Sequence, residues 1–265
     1  MKPHGIITTL ACGALAVLLC GCGKGRESIT MAGSTAFQPF AEKLAEEFMR
    51  QQPAISITVQ GGGSALGIQS ALAGTAQIGM ADLVTLPPEA SALTATVVAR
   101  DGIAVVLSPA NKVTALTTEQ IRGIFNGTLN NWKDVGGADQ PIRVVSREAG
   151  SGTRSSFEQI IKNIKLTRNA IIQDSNGTIR ETVANDANTI GYLSHGLLND
   201  KVKAVAVDGA ECSTATILAG KYALVRPVFL LTRGPAAGAS ARFIAYVLSP
   251  AGQQIITSNG LLPGK

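Results

Sequence analysis

Apolar residues recur along this chain at two spacings, and their alternation predicts its elements. Ser28-Ile-Thr-Met31 and Ile55-Ser-Ile-Thr-Val59 alternate polar with apolar side chains, the period of half-buried strands over 28–32 and 55–60. Between them Phe37, Phe40, Leu44 and Phe48 share one helical face. Glu42, Lys43, Glu46 and Glu47 fall largely elsewhere, which predicts a helix over about 37–50. Thr35-Ala-Phe-Gln38 has the spacing of a capping box for that helix, and Pro39 is tolerable because it falls in the first turn. A helix over 64–73 and a strand over 77–81 continue the series.

Such β-α-β-α alternation predicts parallel sheets with helices on both faces. Val97 to Leu107 is a long apolar strand ending at Ser-Pro, and Ala223 to Thr232 is a second. Arg226-Pro227 argues against a central, fully paired position for the latter. Between the two lies a second series. It holds a capped helix at Thr117-Thr-Glu-Gln-Ile-Arg122, a turn at Asn126-Gly127 and a strand over 141–146. A helix follows over 154–164, with Phe157, Ile160, Ile161 and Ile164 at helical spacing. Next come a strand over 170–174, a helix over 177–186 and strands over 189–193 and 202–207, and a last helix is expected over about 238–248. The pattern predicts two α/β domains, 28–107 with 224–265 and 108–223, joined by two chain crossings.

Composition narrows this picture. Apolar residues make up 45% of the chain but aromatics only 4%, which favours a finely packed α/β protein over an aromatic-rich sandwich. The net charge of +5 comes from scattered lysines and arginines without a basic run, which argues against a nucleic-acid ligand. Residues 1–21 read as a signal peptide: Lys2, a mostly apolar stretch from Ile6 to Cys20, then small residues. About 15 apolar residues interrupted by glycine are short for a membrane span. Leu19-Cys-Gly-Cys22 resembles a bacterial lipobox, so Cys22 is expected to be acylated, with 22–27 as a tether to the membrane. Removing the leader leaves Cys22 and Cys212 as the cysteines and His195 as the one histidine, too few for a His/Cys metal site; no metal and no cofactor is expected.

Three turns carry the candidate chemistry. Arg147-Glu-Ala-Gly-Ser-Gly-Thr153, Ala32-Gly-Ser-Thr35 and Gly61-Gly-Gly-Ser64 each join a strand to a helix through small residues and hydroxyls. Small residues let a ligand approach the unpaired N–H groups at a helix N-terminus, where the helix dipole favours an anion. Singly, Ser34, Thr35 and Ser64 are ordinary caps. Three such turns together point to an oxyanion clasped from several sides. Signatures of catalysis are weak. Gly62-Gly-Ser-Ala-Leu66 lacks the second glycine of a nucleophile elbow, and no GxxxxGK[ST] or GxGxxG loop is present. His195 at a strand end reads as a loop residue, and Asp82, closing Gln-Ile-Gly-Met-Ala, reads by itself as a cap or turn carboxylate.

From Cys22 onward the chain resembles the phosphate-binding proteins of bacterial phosphate ABC transporters, the PstS family, with their type 2 periplasmic-binding-protein fold. The resemblance rests on Gly33-Ser-Thr35, Gly61-Gly-Gly-Ser-Ala-Leu-Gly67, Leu116-Thr-Thr-Glu-Gln-Ile-Arg-Gly-Ile-Phe-Asn-Gly127 and Asn131-Trp-Lys-Asp-Val-Gly-Gly137. Arg147 to Thr153, Ile190-Gly-Tyr192 and Tyr222-Ala-Leu-Val-Arg-Pro227 complete it. It implies two α/β domains with mixed, mostly parallel sheets and two hinge crossings, closing over inorganic phosphate. The implied ligand set is Ser34, Thr35, Ser64, Asp82, Arg147, Ser151, Gly152 and Thr153. Ala81 stands where longer members carry serine. The resemblance further implies a binding protein rather than an enzyme: an extracytoplasmic, lipid-anchored monomer that serves the membrane permease of an ABC importer. Two other readings of the same residues stay open, a phosphate-ester hydrolase using His195 or Asp82 and a phosphate-sensing surface protein.

Overall fold

The structure, a computed structural model, describes residues 27–264; the leader and Cys22 lie outside the described residues. The first series forms largely as its pattern predicts. Strand β1 (Glu27–Gly33) leads through helix α1 (Gln38–Gln51) to β2 (Ile55–Gln60), and α2 (Ser64–Ala73) leads to β3 (Ile78–Ala81). β1 pairs in parallel with β2 and β3. Phe40, Leu44 and Phe48 of α1 are buried together with Phe37.

The expected capping box at Thr35 is not formed. Residues 35–37 make a turn before the helix, and Ser34 takes the capping role one position earlier. Its Oγ accepts the N–H groups of Ala36 and Phe37 at 3.2 and 3.1 Å, while Gln38 donates to Glu42 at 2.8 Å. Pro39 does fall in the first turn.

Strand β4 (Thr94–Leu107) is the longest strand among the described residues and serves two neighbourhoods. Its first part pairs with the late strand β11 (Val225–Thr232) and its last five residues, from Ile103, pair with β8 (Thr189–Ser194). Between these lies the second series. Strand β5 (Ala115–Leu116) precedes α3 (Thr118–Asn126), whose expected cap at Thr117 takes the form of a capping box with Gln120. Strand β6 (Arg143–Arg147) leads to α4 (Gly152–Ile161), then to β7 (Ile171–Gln173), α5 (Asn176–Ala184) and β8. The expected strand over 202–207 is split. β9 (Lys203–Ala204) pairs with β4, and β10 (Ala206–Val207) pairs with β5. Short helix α6 (Thr214–Leu218) precedes β11, and α7 (Gly238–Leu248), α8 (Pro250–Ser258) and β12 (Leu262–Pro263) close the chain.

The main sheet runs β2-β1-β3-β11-β4-β8-β6-β7. The expectation that Arg226-Pro227 argues against a central, fully paired position fails for the strand, since β11 lies between β3 and β4, antiparallel to both, and holds for the proline, which is paired on one side only. The physical reason is where β3 stops. Ala81, its last residue, faces Phe229, so Pro227 lies beyond β3 and pairs with Arg100 of β4 alone, with a bulge at Val228/Phe229.

Two large hydrophobic cores, and a smaller third one around Ile68, Leu83 and Leu231, pack on this sheet among the described residues. Met31, Phe37, Leu44, Phe48, Val98 and Phe243 belong to one. Ile103 to Leu107, Phe125, Trp132, Phe157 and Tyr192 belong to the other. β4 thus contributes to both, and the polar residues between the two cores line the place where the strands from either side end.

Candidate functional site

Strand ends deliver the candidate residues. Ser34 follows β1, Asp82 follows β3, Arg147 is the last residue of β6, and Ser64 opens α2. Ser151 is the N-cap of α4, and Gly152 and Thr153 are its first residues, two positions ahead of the expected start. The same helix stops at Ile161 rather than 164, because Lys162 and Asn163 adopt φ of 59° and 54°. Ser34, Ser64, Asp82, Arg147, Ser151, Gly152 and Thr153 are buried and Thr35 is half-buried. Gly63 occupies the N-cap of α2 at φ 89°, where a Cβ would stand 2.7 Å from the Gly150 carbonyl oxygen. Only glycine fits both that conformation and that approach.

Hydrogen bonds join some of these residues directly. Ser64 Oγ donates to Asp82 Oδ1 at 2.7 Å and accepts the Asp82 N–H at 3.1 Å. Thr153 Oγ1 donates to Asp82 Oδ2 at 3.4 Å, and the Ala65 N–H donates to the Gly150 carbonyl at 3.1 Å. Gly152 packs against this group so closely that a Cβ would lie 2.1 Å from Ser64 Oγ. The other four are not hydrogen-bonded to it. Ser34 and Ser151 each use their Oγ to accept backbone N–H groups, the latter that of Arg154 at 3.2 Å. Both hydroxyl protons therefore stay available to an external acceptor. Thr35 Oγ1 accepts from Asn176 Nδ2 at 3.2 Å.

Arg147 is the decisive group. Its Nε and Nη2 donate to the two carboxylate oxygens of Glu148 at 2.9 and 2.8 Å, and Nη2 also donates to the Asp174 carbonyl at 3.1 Å. Nη1 is buried and has no hydrogen-bond partner among the described residues. A buried, unpaired donor costs about 1–3 kcal/mol, more when charged. A guanidinium clamped on one edge with an N–H left over can donate to an anion. The first N–H groups of α4 stand beside it in the same turn and lack i−4 partners by the geometry of a helix start.

Sequence reasoning missed the other buried cation. Arg226 pairs with Asp82 through Nη1 and Oδ2 at 2.5 Å and with Asp101 through Nη2 and Oδ2 at 2.8 Å. Asp101 also accepts from Ser194 Oγ at 2.8 Å, and the Ser194 N–H donates to Asn176 Oδ1 at 3.0 Å. Burial pushes the Asp101 carboxyl above the usual carboxylate range, against the pull of Arg226 and Ser194. The available signal was a charge of each sign inside two apolar strands, Val97-Val-Ala-Arg-Asp-Gly-Ile103 and Val225-Arg-Pro-Val-Phe229. Opposite charges in such strands are expected to meet.

His195 stands apart from this cluster, its Nδ1 2.9 Å from the Gly260 carbonyl oxygen. Among the described residues no group of three or more His, Cys, Asp or Glu side chains has the arrangement of a metal site. A cavity of about 160 Å³ opens beside the cluster, between α2 and the start of α4, with Ser64, Leu83, Glu89, Gly150 and Ser151 in its wall.

Comparison with known proteins assigns the family. A family profile described as a PBP superfamily domain matches residues 22–251. The phosphate-binding protein PstS of Bacillus subtilis is 32% identical over 285 aligned positions, covering 99% of this chain and 95% of that protein. A Clostridium perfringens protein described as a phosphate ABC transporter substrate-binding protein, solved with bound phosphate, superposes with a TM-score of 0.86. It is 38% identical, over 90% of this chain and all of that one. An ABC-type phosphate transport receptor from Vibrio cholerae gives a TM-score of 0.75 at 36% identity, over 88% of this chain and 99% of the receptor. These relatives are binding proteins, and none of them is described as an enzyme. The chain has the type 2 periplasmic-binding-protein fold and belongs, within the PBP superfamily, to the PstS family of phosphate-binding proteins.

Proposed function

We propose that this chain is an extracytoplasmic solute-binding lipoprotein that captures inorganic phosphate and hands it to the permease of an ABC importer. The observation that carries the reading is Arg147, a buried guanidinium whose Nη1 lacks a hydrogen-bond partner among the described residues. In this reading phosphate completes it. The hydroxyls of Ser34 and Ser151 donate to the anion, as do the unpaired N–H groups at the start of α4. Ser64, Thr35, Asp82, Gly152 and Thr153 shape the remaining wall. Hydrogen bonds to a charged group contribute roughly 1.5–3 kcal/mol each. Several of them support affinity at or below about 1 μM, near −8 kcal/mol, after the costs of closure.

Asp82 has a role of its own. Each carboxylate oxygen accepts up to two hydrogen bonds, and Ser64 is the one side-chain donor recorded at Oδ1 among the described residues. Phosphate near neutral pH carries a proton and donates to such an oxygen; sulfate carries none and meets a like charge. The two predicted domains, 28–107 with 224–265 and 108–223, close over the ligand, which then bridges them. The protein works as a monomer, without cofactor or metal, tethered through acylated Cys22. The hydrolase alternative draws no support from His195, whose ring faces the Gly260 carbonyl.

Calorimetric titration of the mature protein with phosphate, sulfate and arsenate tests the reading. Phosphate is expected to bind at or below about 1 μM and sulfate at least a hundredfold more weakly. Absence of phosphate binding, or equal affinity for sulfate, rejects it.

A further inference from the structure

We propose that Arg226 is a positioning residue of the anion site: it holds Asp82 as an oriented carboxylate and thereby sets both the discrimination against fully ionised oxyanions and its pH range. The proposal rests on the phosphate reading above.

The geometry is that of one cation shared by two acids on three adjacent strands. In the order β3-β11-β4, Asp82 follows the first, Arg226 lies on the middle one and Asp101 on the third, directly opposite Arg226 in the β11–β4 register. The Arg226 side chain is fully buried, and both carboxylates are as deeply enclosed. Its Nη1 also donates to the Asp82 carbonyl at 3.4 Å, so the guanidinium grips backbone and side chain of the same residue. Beyond Asp101 the polar chain continues through Ser194 and Asn176 to Thr35, which returns it to the candidate site.

Two carboxylates on one guanidinium leave one negative charge in excess in a dry interior. The remaining groups facing the pair are neutral. Ser64, Thr153 and Ser156 bring hydroxyls from α2 and α4, and Cys212 and Tyr222 face Asp101 with burial holding both protonated. Arg147, from β6, is engaged by Glu148. Without Arg226 both acids lie in low dielectric without a countercharge and repel each other, so Asp82, like Asp101, takes up a proton more readily. A protonated Asp82 becomes a donor, which welcomes sulfate and competes with the proton that phosphate brings. Arg226 therefore has a function beyond folding: it keeps the acceptor an acceptor.

The test is paired calorimetric titration with phosphate and with sulfate, between about pH 5.5 and about pH 8.5, on wild type, Arg226→Lys, Arg226→Gln and the double variant Arg226→Gln/Asp101→Asn. Wild type and Arg226→Lys keep the cation and should hold their phosphate-over-sulfate preference nearly flat across this range. Arg226→Gln should lose that preference by about tenfold or more at the acid end, with sulfate binding becoming measurable there; one unit of pKa shift corresponds to a tenfold change. The double variant removes the repulsion from Asp101 but leaves Asp82 buried without its cation, and it serves if Arg226→Gln does not fold; it should lose the preference at the acid end in the same direction and to a smaller extent. A residue that only stabilised the fold would lower the melting temperature and leave the anion preference and its pH profile as in wild type. That result overturns the proposal while the phosphate reading stands. Wild-type protein that binds no phosphate overturns both.

Discussion

Placing a single methyl group on Gly152 separates the closed cleft from the fold. Gly152 is the first residue of α4 and its backbone is not in the left-handed region, so alanine there suits the helix. The space does not suit it. A Cβ would stand 2.1 Å from Ser64 Oγ and 2.7 Å from both the carbonyl oxygen and Oδ1 of Asp82. Roughly 1 Å must open before carbon and oxygen reach ordinary contact, and one of the blocking atoms is the backbone carbonyl oxygen of Asp82. The Thr153–Asp82 bond, already 3.4 Å, yields first, and the 2.7 Å Ser64–Asp82 bond follows or shifts. Losing one hydrogen bond to a charged partner costs about 1.5–3 kcal/mol, which predicts phosphate affinity lower by about tenfold to 150-fold for Gly152→Ala. The ligand-free protein relieves the clash by opening and should melt close to wild type. Calorimetry gives the affinity, and thermal unfolding with and without phosphate gives the linkage. A hundredfold loss removes about 2.7 kcal/mol of ligand stabilisation at saturating phosphate. Gly152→Ala binding within about threefold of wild type, with normal circular dichroism, would refute the claim that phosphate is held with α4 pressed against Ser64 and Asp82.

Three more outcomes follow from the same contacts. Arg147→Ala should weaken phosphate binding by more than about tenfold with unchanged far-UV circular dichroism, since it removes the main countercharge to a buried anion; equal affinity would reduce Arg147 to a partner of Glu148. The Cys212 thiol is buried and pushed up to about 12 by desolvation, so native protein at pH 8 should react with a thiol reagent far more slowly than denatured protein. Above about pH 8.5 the unfolded thiol ionises before the native one, so this group should lower stability as pH rises; fast labelling of folded protein contradicts the burial. Cys22→Ser should move the protein from the detergent to the aqueous phase on partitioning, and an intact mass without acyl chains in the natural protein would reject the lipid anchor.

Patterns bounded by glycine were the most legible part of the chain. Strand β2 and helices α2 and α7 occupy the residues that periodicity predicts, because each runs from one conformational break to the next and buries a simple face. Element ends governed by local hydrogen bonds were harder. Ser34 rather than Thr35 caps the approach to α1, since a turn intervenes that spacing does not reveal. Helix α4 starts two residues ahead of the pattern, since the poor helix propensity of Gly152 and Thr153 matters little at a helix start next to a capping serine. Helix α8 has no counterpart in the apolar periodicity, and its signal is Ser249-Pro250, a good cap and first position.

The candidate site divided along similar lines. Residues in turns with a recognisable chemistry, Arg147 and the 151–153 turn among them, can be read from their own segment. Arg226 and Asp101 cannot, because each reads as an oddity within its own strand and acquires meaning only when β11 inserts beside β4. The misplacement of β11 had the same origin. A proline weakens a central strand only where a neighbour is there to be paired, and β3 has ended by Pro227. The pairing that brings Arg226 between two carboxylates was thus hidden by a rule correct for proline in general and inapplicable at a strand overhang.

The central claim is that Arg147 Nη1 is completed by an oxyanion. A crystal structure of the mature protein with phosphate tests it most directly. The account predicts a phosphate oxygen about 2.7–3.2 Å from Nη1, with the Ser34 and Ser151 hydroxyls and the first N–H groups of α4 on the same anion and Glu148 still clamping the opposite edge of the guanidinium. Phosphate bound elsewhere, with Nη1 left without a partner, would contradict it.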